Sequence, residues 1–277
     1  MTRLAGGAKK SRLAWSTTQS RLAWGATISR LAWGAASITF GIALILVWQL
    51  IADLKLVSPV FLPSPARTWQ AFERALSSGD LGGRIYATVW RMLVGWAFAS
   101  VVGITLGSLI GSSAILRRLL TPTLEFLRPL PASATIPVFI VLFGLNNSMV
   151  FAVIAFGALW PMLLATINGF ASVEPRLYEV ARVLHLSRLA VILKIALPSA
   201  LREIMPGLKL SLTVALILTV VCEMLVGVNG LGSWALISAR AFRTADLYVG
   251  VILFGLIGYV GSTMLSLLSR RLLPQEQ

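Results

Sequence analysis

The sequence predicts an all-α membrane protein with about six transmembrane helices. Of its 277 residues, 57% are hydrophobic and 12% are charged, and the mean hydropathy is +0.85. A water-soluble domain has roughly 25% charged residues, so this composition excludes an ordinary soluble enzyme. Uncharged stretches that are long enough to cross a bilayer as helices recur along the chain.

Six segments are long and apolar enough to be predicted as membrane spans. They are residues 35–52, 92–116, two spans within 129–173, 207–227 and 247–269. The pair Asn146-Asn147, directly after Gly144, predicts the turn between the two spans within 129–173. Residues 53–91 are then an outer connector, in which apolar residues at helical spacing from Ala66 predict an amphipathic helix near the membrane surface.

The placement of Lys and Arg predicts that both termini are cytoplasmic. With that orientation, 16 of the 24 basic residues fall in inner segments and seven in outer segments, as expected from the positive-inside rule. Arg128 lies near the end of a span and is assigned to neither side. Basic cytoplasmic segments therefore account for the formal net charge of +14 without a nucleic-acid partner.

Residues 1–34 are predicted to form a basic cytoplasmic tail with an internal repeat. Ser-Arg-Leu-Ala-Trp occurs at 11–15, 20–24 and 29–33, and a period of nine does not place the copies on one face of a helix. The Arg and Trp residues are suited to contact anionic lipid headgroups. A sequence duplication without a function explains the repeat equally well.

The sequence lacks the residue patterns of the common catalytic and cofactor sites. No Gly-Lys pair occurs, so the chain has no Walker A loop for ATP. Cys222 and His185 are the only residues of their types, which excludes an intramolecular disulfide and disfavours a zinc site. Residues 227–232 resemble a glycine-rich nucleotide loop only superficially, because no strand–helix context surrounds them. We therefore predict no enzymatic activity, no cofactor and no metal in this chain.

The polar stretch between the fourth and fifth predicted spans is the most informative segment. Pro175 suits the first turn of a helix, and Ser187 is a predicted N-cap of a second short helix. The segment is thus predicted to form a helical hairpin outside the membrane. Its apolar face is formed by Leu177, Val180, Ala181 and Leu184. Two hypotheses stay open: this face docks a partner protein, or it packs on the chain's own helix bundle.

The same stretch resembles the cytoplasmic EAA loop of ABC importer permeases. That motif reads Glu-Ala-Ala, three residues, Gly, nine residues and Ile-x-Leu-Pro. This chain has Glu179-Val180-Ala181, His185 and Ile195-Ala196-Leu197-Pro198 at matching spacing. Val180 replaces the first Ala, and His185 replaces the Gly of the tight turn. Histidine tolerates a left-handed backbone better than most residues but less well than glycine, so the turn is expected to differ in shape.

Further segments resemble the nitrate/sulfonate/taurine-type subfamily of these permeases. They are Phe61-Leu-Pro-Ser-Pro65, Leu127-Arg-Pro-Leu-Pro131, Glu223-Met-Leu225 and Arg270-Arg-Leu-Leu-Pro274. The resemblance implies a permease domain over 35–277, with a cytoplasmic coupling loop at 172–206, in a bacterial inner membrane. It also implies a second permease copy, two ATP-binding subunits that carry ATP-Mg, a solute-binding protein and a small anionic substrate. The alternatives are an ATP-independent secondary carrier or channel and a membrane anchor for cytosolic proteins.

Two groups of candidate functional residues follow from this resemblance and from the intramembrane polar residues. The ATPase-coupling group is Glu179, Ala181, Arg182, His185, Ile195, Leu197 and Pro198. The translocation-path group is Glu125, Arg128, Pro131, Ser133, Thr135, Asn146 and Glu223, because charged residues inside a membrane are functional candidates. For Arg128 the alternative is a contact with headgroups, and for Glu223 a structural hydrogen bond between helices. Sulfonates, nitrate, bicarbonate and vitamin precursors all remain possible substrates.

Overall fold

The computed structural model describes residues 36–127 and 130–273. The predicted tail of residues 1–34, Arg128 and Pro129 lie outside these residues. The described chain is helical, with no strand, and confirms the all-α prediction. Its helices are α1 (Ala36–Asp53), α2 (Pro65–Ser77), α3 (Asp80–Ser112), α4 (Ala114–Leu127), α5 (Ile136–Phe143), α6 (Asn147–Ala171), α7 (Pro175–Val183), α8 (Arg188–Val191), α9 (Leu197–Val226), α10 (Leu231–Arg240) and α11 (Thr244–Leu272).

The chain divides into two compact units at Arg67. In the first unit, α1 is long and apolar enough to cross a membrane, as predicted for 35–52. The Trp48 indole Nε1 donates a hydrogen bond of 3.0 Å to the Pro63 carbonyl, which holds the proline-rich segment against this helix. The second unit contains the other membrane helices and the candidate sites.

Small residues at every fourth position allow α3 to pack closely against α6. Gly95 lies against Ile154 and Gly111 against Phe170, and two further glycines between them make equivalent contacts. Each of these pairs is separated by 59 positions in the chain, so the two helices run parallel. Glycine lets helix backbones approach closely in a membrane, where the hydrophobic effect does not drive helix association.

The parallel direction of α3 and α6 requires the chain between them to cross the membrane once more. That crossing is made by α4 together with the segment Ala132–Phe143, which meet at an angle of 81°. The prediction of two spans within 129–173 is therefore wrong for the first of them. The helix α5 has eight residues and is only about 12 Å long, and Pro131 lies at the bend before it. With this bent pair, the candidate spans number six in the described residues.

The prediction that residues 53–91 form a connector is wrong for its last third. The helix α3 begins at Asp80, so Arg84 and Arg91 belong to a membrane helix and not to an outer loop. Charged residues concealed this start of the helix in the sequence. The predicted amphipathic helix is confirmed as α2, and its residues Phe72 and Ala75 pack on the second unit's core.

Three buried apolar clusters follow the second unit from one end to the other. The first joins α2, α10 and the starts of α3 and α11, through Ala71, Leu81, Leu231, Val249 and Leu253. The second fills the middle of α3, α6 and α9. The third joins the end of α6 to the start of α9, through Met162, Phe170, Val173, Ala196, Ala200 and Ile204. The predicted polar hairpin therefore lies at the opposite end of the bundle from α10.

We expect Gly107→Leu to disrupt the contact between α3 and α6. A Cβ at Gly107 would lie 2.6 Å from the Thr166 Cβ and 3.0 Å from the Leu163 carbonyl oxygen. Overpacking of this kind costs about 1–3 kcal/mol, which should lower the midpoint of thermal unfolding in detergent by about 2–10 °C. Gly83→Leu is the matched control, because a Cβ there meets nothing within 4 Å. An equal loss in both variants would contradict the assigned contact.

Candidate functional site

The predicted hairpin is present, and its turn explains the unusual His185. Pro175 occupies the first turn of α7, and the Ser187 hydroxyl accepts a hydrogen bond of 3.3 Å from the Ala190 N–H at the start of α8. His185 has φ of +49°. Its N–H donates to the Arg182 carbonyl, and the next N–H donates to the Ala181 carbonyl. This is the Schellman arrangement that usually ends in glycine, so histidine accepts a left-handed conformation here.

The predicted second short helix begins at Arg188 as α8, but it does not end before the following membrane helix. The helix α8 continues through a π turn, Ile192–Ala196, into α9. Pro198 accounts for the widened turn, because a proline ring clashes with the carbonyl four residues earlier. The resulting continuous helix, Leu189–Val226, has 38 residues. The second helix of the hairpin is therefore continuous with a membrane span.

The hairpin leaves most of its apolar face exposed. Ala181 is 2% exposed, whereas Val180 and Leu184 are 52% and 62% exposed. Glu179 and Arg182 are also exposed, as is Pro198, while Ile195 and Leu197 are half-buried. Of the two hypotheses for this face, packing on the chain's own bundle accounts for Ala181 but not for Val180 or Leu184. These side chains are free to contact another protein.

Tyr178 connects the hairpin to the helix bundle. It is partly buried against the third apolar cluster, which contains Phe170 and Ala196. Burial raises the pKa of its phenol, and the nearby Arg117 opposes this effect. The phenol is therefore neutral at physiological pH, and it joins α7 to the ends of α6 and α9 without introducing a charge.

A buried ion pair joins the helices at the opposite end of the bundle. Arg91 Nη1 on α3 donates a hydrogen bond of 2.9 Å to Glu223 Oε1 on α9. Glu223 is 0% exposed and Arg91 is 9% exposed. The Thr88 hydroxyl donates to Glu223 Oε2 at 2.9 Å, and Arg91 Nε donates to Asn147 Oδ1 at the start of α6 at 3.1 Å. The pair thus connects three membrane helices.

The glycine-rich segment after α9 closes over this carboxylate. The Gly232 N–H donates to Glu223 Oε2 at 2.9 Å, and the Asn229 carbonyl accepts from Arg91 Nη1 at 2.7 Å. A Cβ on Gly230 would overlap the Glu223 carboxylate, so glycine is required for this approach. The sequence that resembled a nucleotide loop therefore binds the chain's own carboxylate.

The geometry gives Glu223 a structural role at this position. A buried carboxylate is costly unless it is paired and hydrogen-bonded, and Arg91, Thr88 and Gly232 donate three bonds to it. The Leu231 N–H donates a fourth bond to the Thr88 hydroxyl. Among the described residues, Glu223 has no contact with Glu125. Arg91 was not among the predicted site residues, although an Arg and a Glu in neighbouring apolar helices are a signal for an ion pair.

The other predicted path residues are distributed along the chain and do not form one cluster. Asn146 caps α6, since its side chain accepts a hydrogen bond of 3.0 Å from the Met149 N–H. Thr135 donates to the Ala132 carbonyl at 2.7 Å. The residues Glu125, Pro131 and Ser133 are exposed in the isolated chain, and Arg128 lies outside the described residues. Their role in a path stays a prediction.

We expect Arg91→Met to destabilise the protein strongly, because it leaves Glu223 charged, buried and without its cation. Breaking a buried pair from one side costs about 3–5 kcal/mol. The double variant Arg91→Met/Glu223→Gln should lose less than the sum of the two single losses. The measurement is a double-mutant cycle from thermal or denaturant unfolding in detergent.

The matched control for this cycle is Arg84→Met on the same helix. Arg84 pairs with Asp80 at an exposed position, and exposed pairs contribute about 0–1 kcal/mol. The assigned pair would be contradicted if the stability losses of the Arg91 and Glu223 variants were additive. It would also be contradicted if Arg84→Met lost as much stability as Arg91→Met.

Comparisons with known proteins agree with this architecture. Residues 99–275 match the family model of the binding-protein-dependent transport system inner membrane component. An aliphatic sulfonates transport permease protein of Bacillus subtilis is 35% identical over 231 residues, which is 83% of both chains. A taurine transport system permease protein of Escherichia coli is 30% identical over 239 residues, covering 83% of this chain and 86% of that relative.

A nitrate import permease protein of Leptolyngbya laminosa is 31% identical over 70% of both chains. The fold is similar to that of an amino acid ABC transporter in a crystal structure, with a TM-score of 0.59 and 18% identity over 72% of this chain and 97% of that chain. An ATP-independent carrier or channel is not supported by these likenesses. The chain belongs to the family of inner membrane components of binding-protein-dependent transport systems.

Proposed function

We propose that this chain is the permease subunit of an ABC importer and lines the path of a small anion. The observation that carries the proposal is the hairpin α7–α8, whose exposed apolar face continues through one helix into a membrane span. The relatives named for sulfonates, taurine and nitrate support an anionic substrate. Bicarbonate permeases among the relatives keep that anion possible as well.

ATP hydrolysis is proposed to occur on two separate ATP-binding subunits that dock at the hairpin. Exposed Val180 and Leu184 offer apolar contacts, and Glu179 and Arg182 offer polar ones. Closure of the ATP-binding subunits would displace α7 and α8, and the π turn would pass this displacement to α9. ATP-Mg is then needed by the complex but binds to the partner chains.

The proposed orientation places the hairpin and both termini in the cytoplasm of a bacterial inner membrane. Arg91 was counted with the outer loops in the sequence, but it is paired inside a membrane helix. Arg84 belongs to the same helix, and Lys209, counted as inner, lies within a membrane helix. Five outer basic residues then stand against 15 inner ones, which strengthens the positive-inside bias. A solute-binding protein is proposed to dock at the end that carries α10, and a second permease copy to complete the path.

Affinity capture of the tagged chain in mild detergent tests the proposal. We expect an ATP-binding subunit, identified by mass spectrometry, to be captured with ATPase activity. We expect Glu179→Ala to reduce both its retention and ATP-driven uptake several-fold, because Glu179 is an exposed polar residue of the docking face. A chain that purifies alone and moves solute into liposomes without ATP would refute the importer function.

Glu73→Ala is the matched control for this substitution. Glu73 lies on α2 at the opposite end of the bundle, where it accepts a hydrogen bond from Trp69. It should leave subunit retention and ATPase activity unchanged. Equal effects of the two variants, or none from Glu179→Ala, would remove Glu179 from the coupling contact.

Substitutions at His185 test whether the left-handed turn positions the docking face. A left-handed conformation costs a residue with a Cβ about 1–2 kcal/mol, and glycine avoids this cost. We therefore expect His185→Gly to keep or increase subunit retention and His185→Val to reduce it. The measurement is retention of the ATP-binding subunit after washing at increasing salt. If His185→Val and His185→Gly retain the ATP-binding subunit equally well, the conformation of the turn does not govern docking.

A further inference from the structure

Lys209 places a positive charge near the middle of the bundle. Its neighbours on α9 fix its depth: Gly207 contacts Ala165 on α6, and the Ser211 hydroxyl donates to the Ala158 carbonyl at 2.7 Å. Residues 158–165 occupy the middle of α6, and Ala165 is about 9 Å from its end at Ala171. Lys209 is half-buried in the isolated chain, and its backbone lies within the predicted membrane interior.

No carboxylate compensates this charge in the part of the chain that the structure describes. The ion pairs there involve Arg84, Arg91, Arg176 and Arg243 but not Lys209. Glu223 lies 14 residues further along α9, about 21 Å away along the helix axis, and is already paired with Arg91. Glu203 lies on another face of α9, against Gly169. An uncompensated ammonium group at this depth is costly and indicates a function.

A cavity begins one helical turn above Lys209, on the same face of α9. Its volume is about 250 Å³, and it is lined by Met92, Leu212, Thr213, Leu216, Phe254 and Tyr259 among others. Residues three and four apart share a helix face, so Lys209 lies directly below Leu212 and Thr213. The Thr213 hydroxyl donates to the Lys209 carbonyl at 3.1 Å. A cavity of this volume is large enough to admit water or a small anion.

We propose that Lys209 is the anion-binding residue of the translocation path, one helical turn below this cavity. The ammonium group supplies charge and up to three hydrogen-bond donors to an oxyanion such as a sulfonate or nitrate, and it repels cations. The Tyr259 hydroxyl is a second donor on the lining. Arg91 cannot serve in this way, because Glu223 neutralises it. This inference rests on the proposed import of an anion.

A lipid phosphate is the other oxyanion that this ammonium group could bind. A transported anion and a lipid phosphate can be distinguished by experiment. A translocation path admits water and water-soluble anions, whereas a lipid-facing groove does not. The experiment therefore asks whether a charged, membrane-impermeant reagent reaches this face from water and whether Lys209 selects its charge.

The test uses the full-length chain in phosphatidylcholine nanodiscs with a single reporter thiol, Thr213→Cys. Cys222 is the only native cysteine and is buried, so Cys222→Ala removes the background. The probes are the anionic sulfonatoethyl and the cationic trimethylammonioethyl methanethiosulfonates. We expect the anionic probe to react faster. Lys209→Gln should slow it on the order of tenfold, as for charge steering into a cleft, and speed the cationic probe.

Lys209→Arg is the matched control and should retain the preference for the anionic probe. Ethanesulfonate or nitrate, added in place of chloride at constant ionic strength, should slow the anionic probe in the Lys209 protein but not in Lys209→Gln. The proposal is overturned if neither probe reacts, since the face is then in lipid, or if Lys209→Gln leaves the charge preference unchanged. The assay needs no ATP, so charge selection without ATP-driven uptake refutes the importer function alone. Uptake without charge selection refutes this inference alone.

Discussion

The buried pair of Arg91 and Glu223 fixes the relative positions of the helices at one end of the bundle. The membrane interior offers no water to solvate either group, so both must stay in contact with each other and with their hydrogen-bond partners. Those partners come from α3, α6, α9 and the segment before α10. Moving any one of these elements would leave a buried charge or carbonyl without its partner. These contacts therefore hold the elements at this end of the bundle in one relative arrangement.

The opposite end has a different physical character. There α6 and α9 are joined by apolar contacts around Phe170 and Ala200, which are non-directional and tolerate small shifts better than a bonded charge pair. The hairpin leaves its apolar side chains exposed and is continuous with α9 through the π turn. A force applied at the hairpin thus acts on the more adaptable end of a helix whose other end is fixed. Under the proposed function, that division is suited to converting a displacement of the hairpin into a change of path shape.

Sequence patterns predicted most membrane helices along uncharged stretches, but not the bent helix pair that ends at Phe143, and they missed helix residues where charges were paired. The spans at 35–52 and 247–269 are recovered as α1 and α11, because hydropathy alone defines them. The start of α3 was missed, since Arg84 and Arg91 looked like loop residues until their partners were seen. The partner of Arg91 lies 132 positions away, and no local pattern reports such a contact. The hairpin was predicted because its capping residues, Pro175 and Ser187, act within one turn.

Arg91 and Lys209 are both positively charged, but they have different surroundings within the same helix bundle. Arg91 donates hydrogen bonds to Glu223, Asn147 and a backbone carbonyl. Its planar guanidinium group therefore serves to hold helices together. Lys209 has a flexible side chain, no acidic partner among the described residues, and a cavity one turn away. A charge with a purely structural role is expected to have all its hydrogen-bond partners, because each missing bond is costly in a low-dielectric interior. Under our proposal a permeating oxyanion completes the pairing of Lys209, because it has the sign, the size and the acceptor groups to do so.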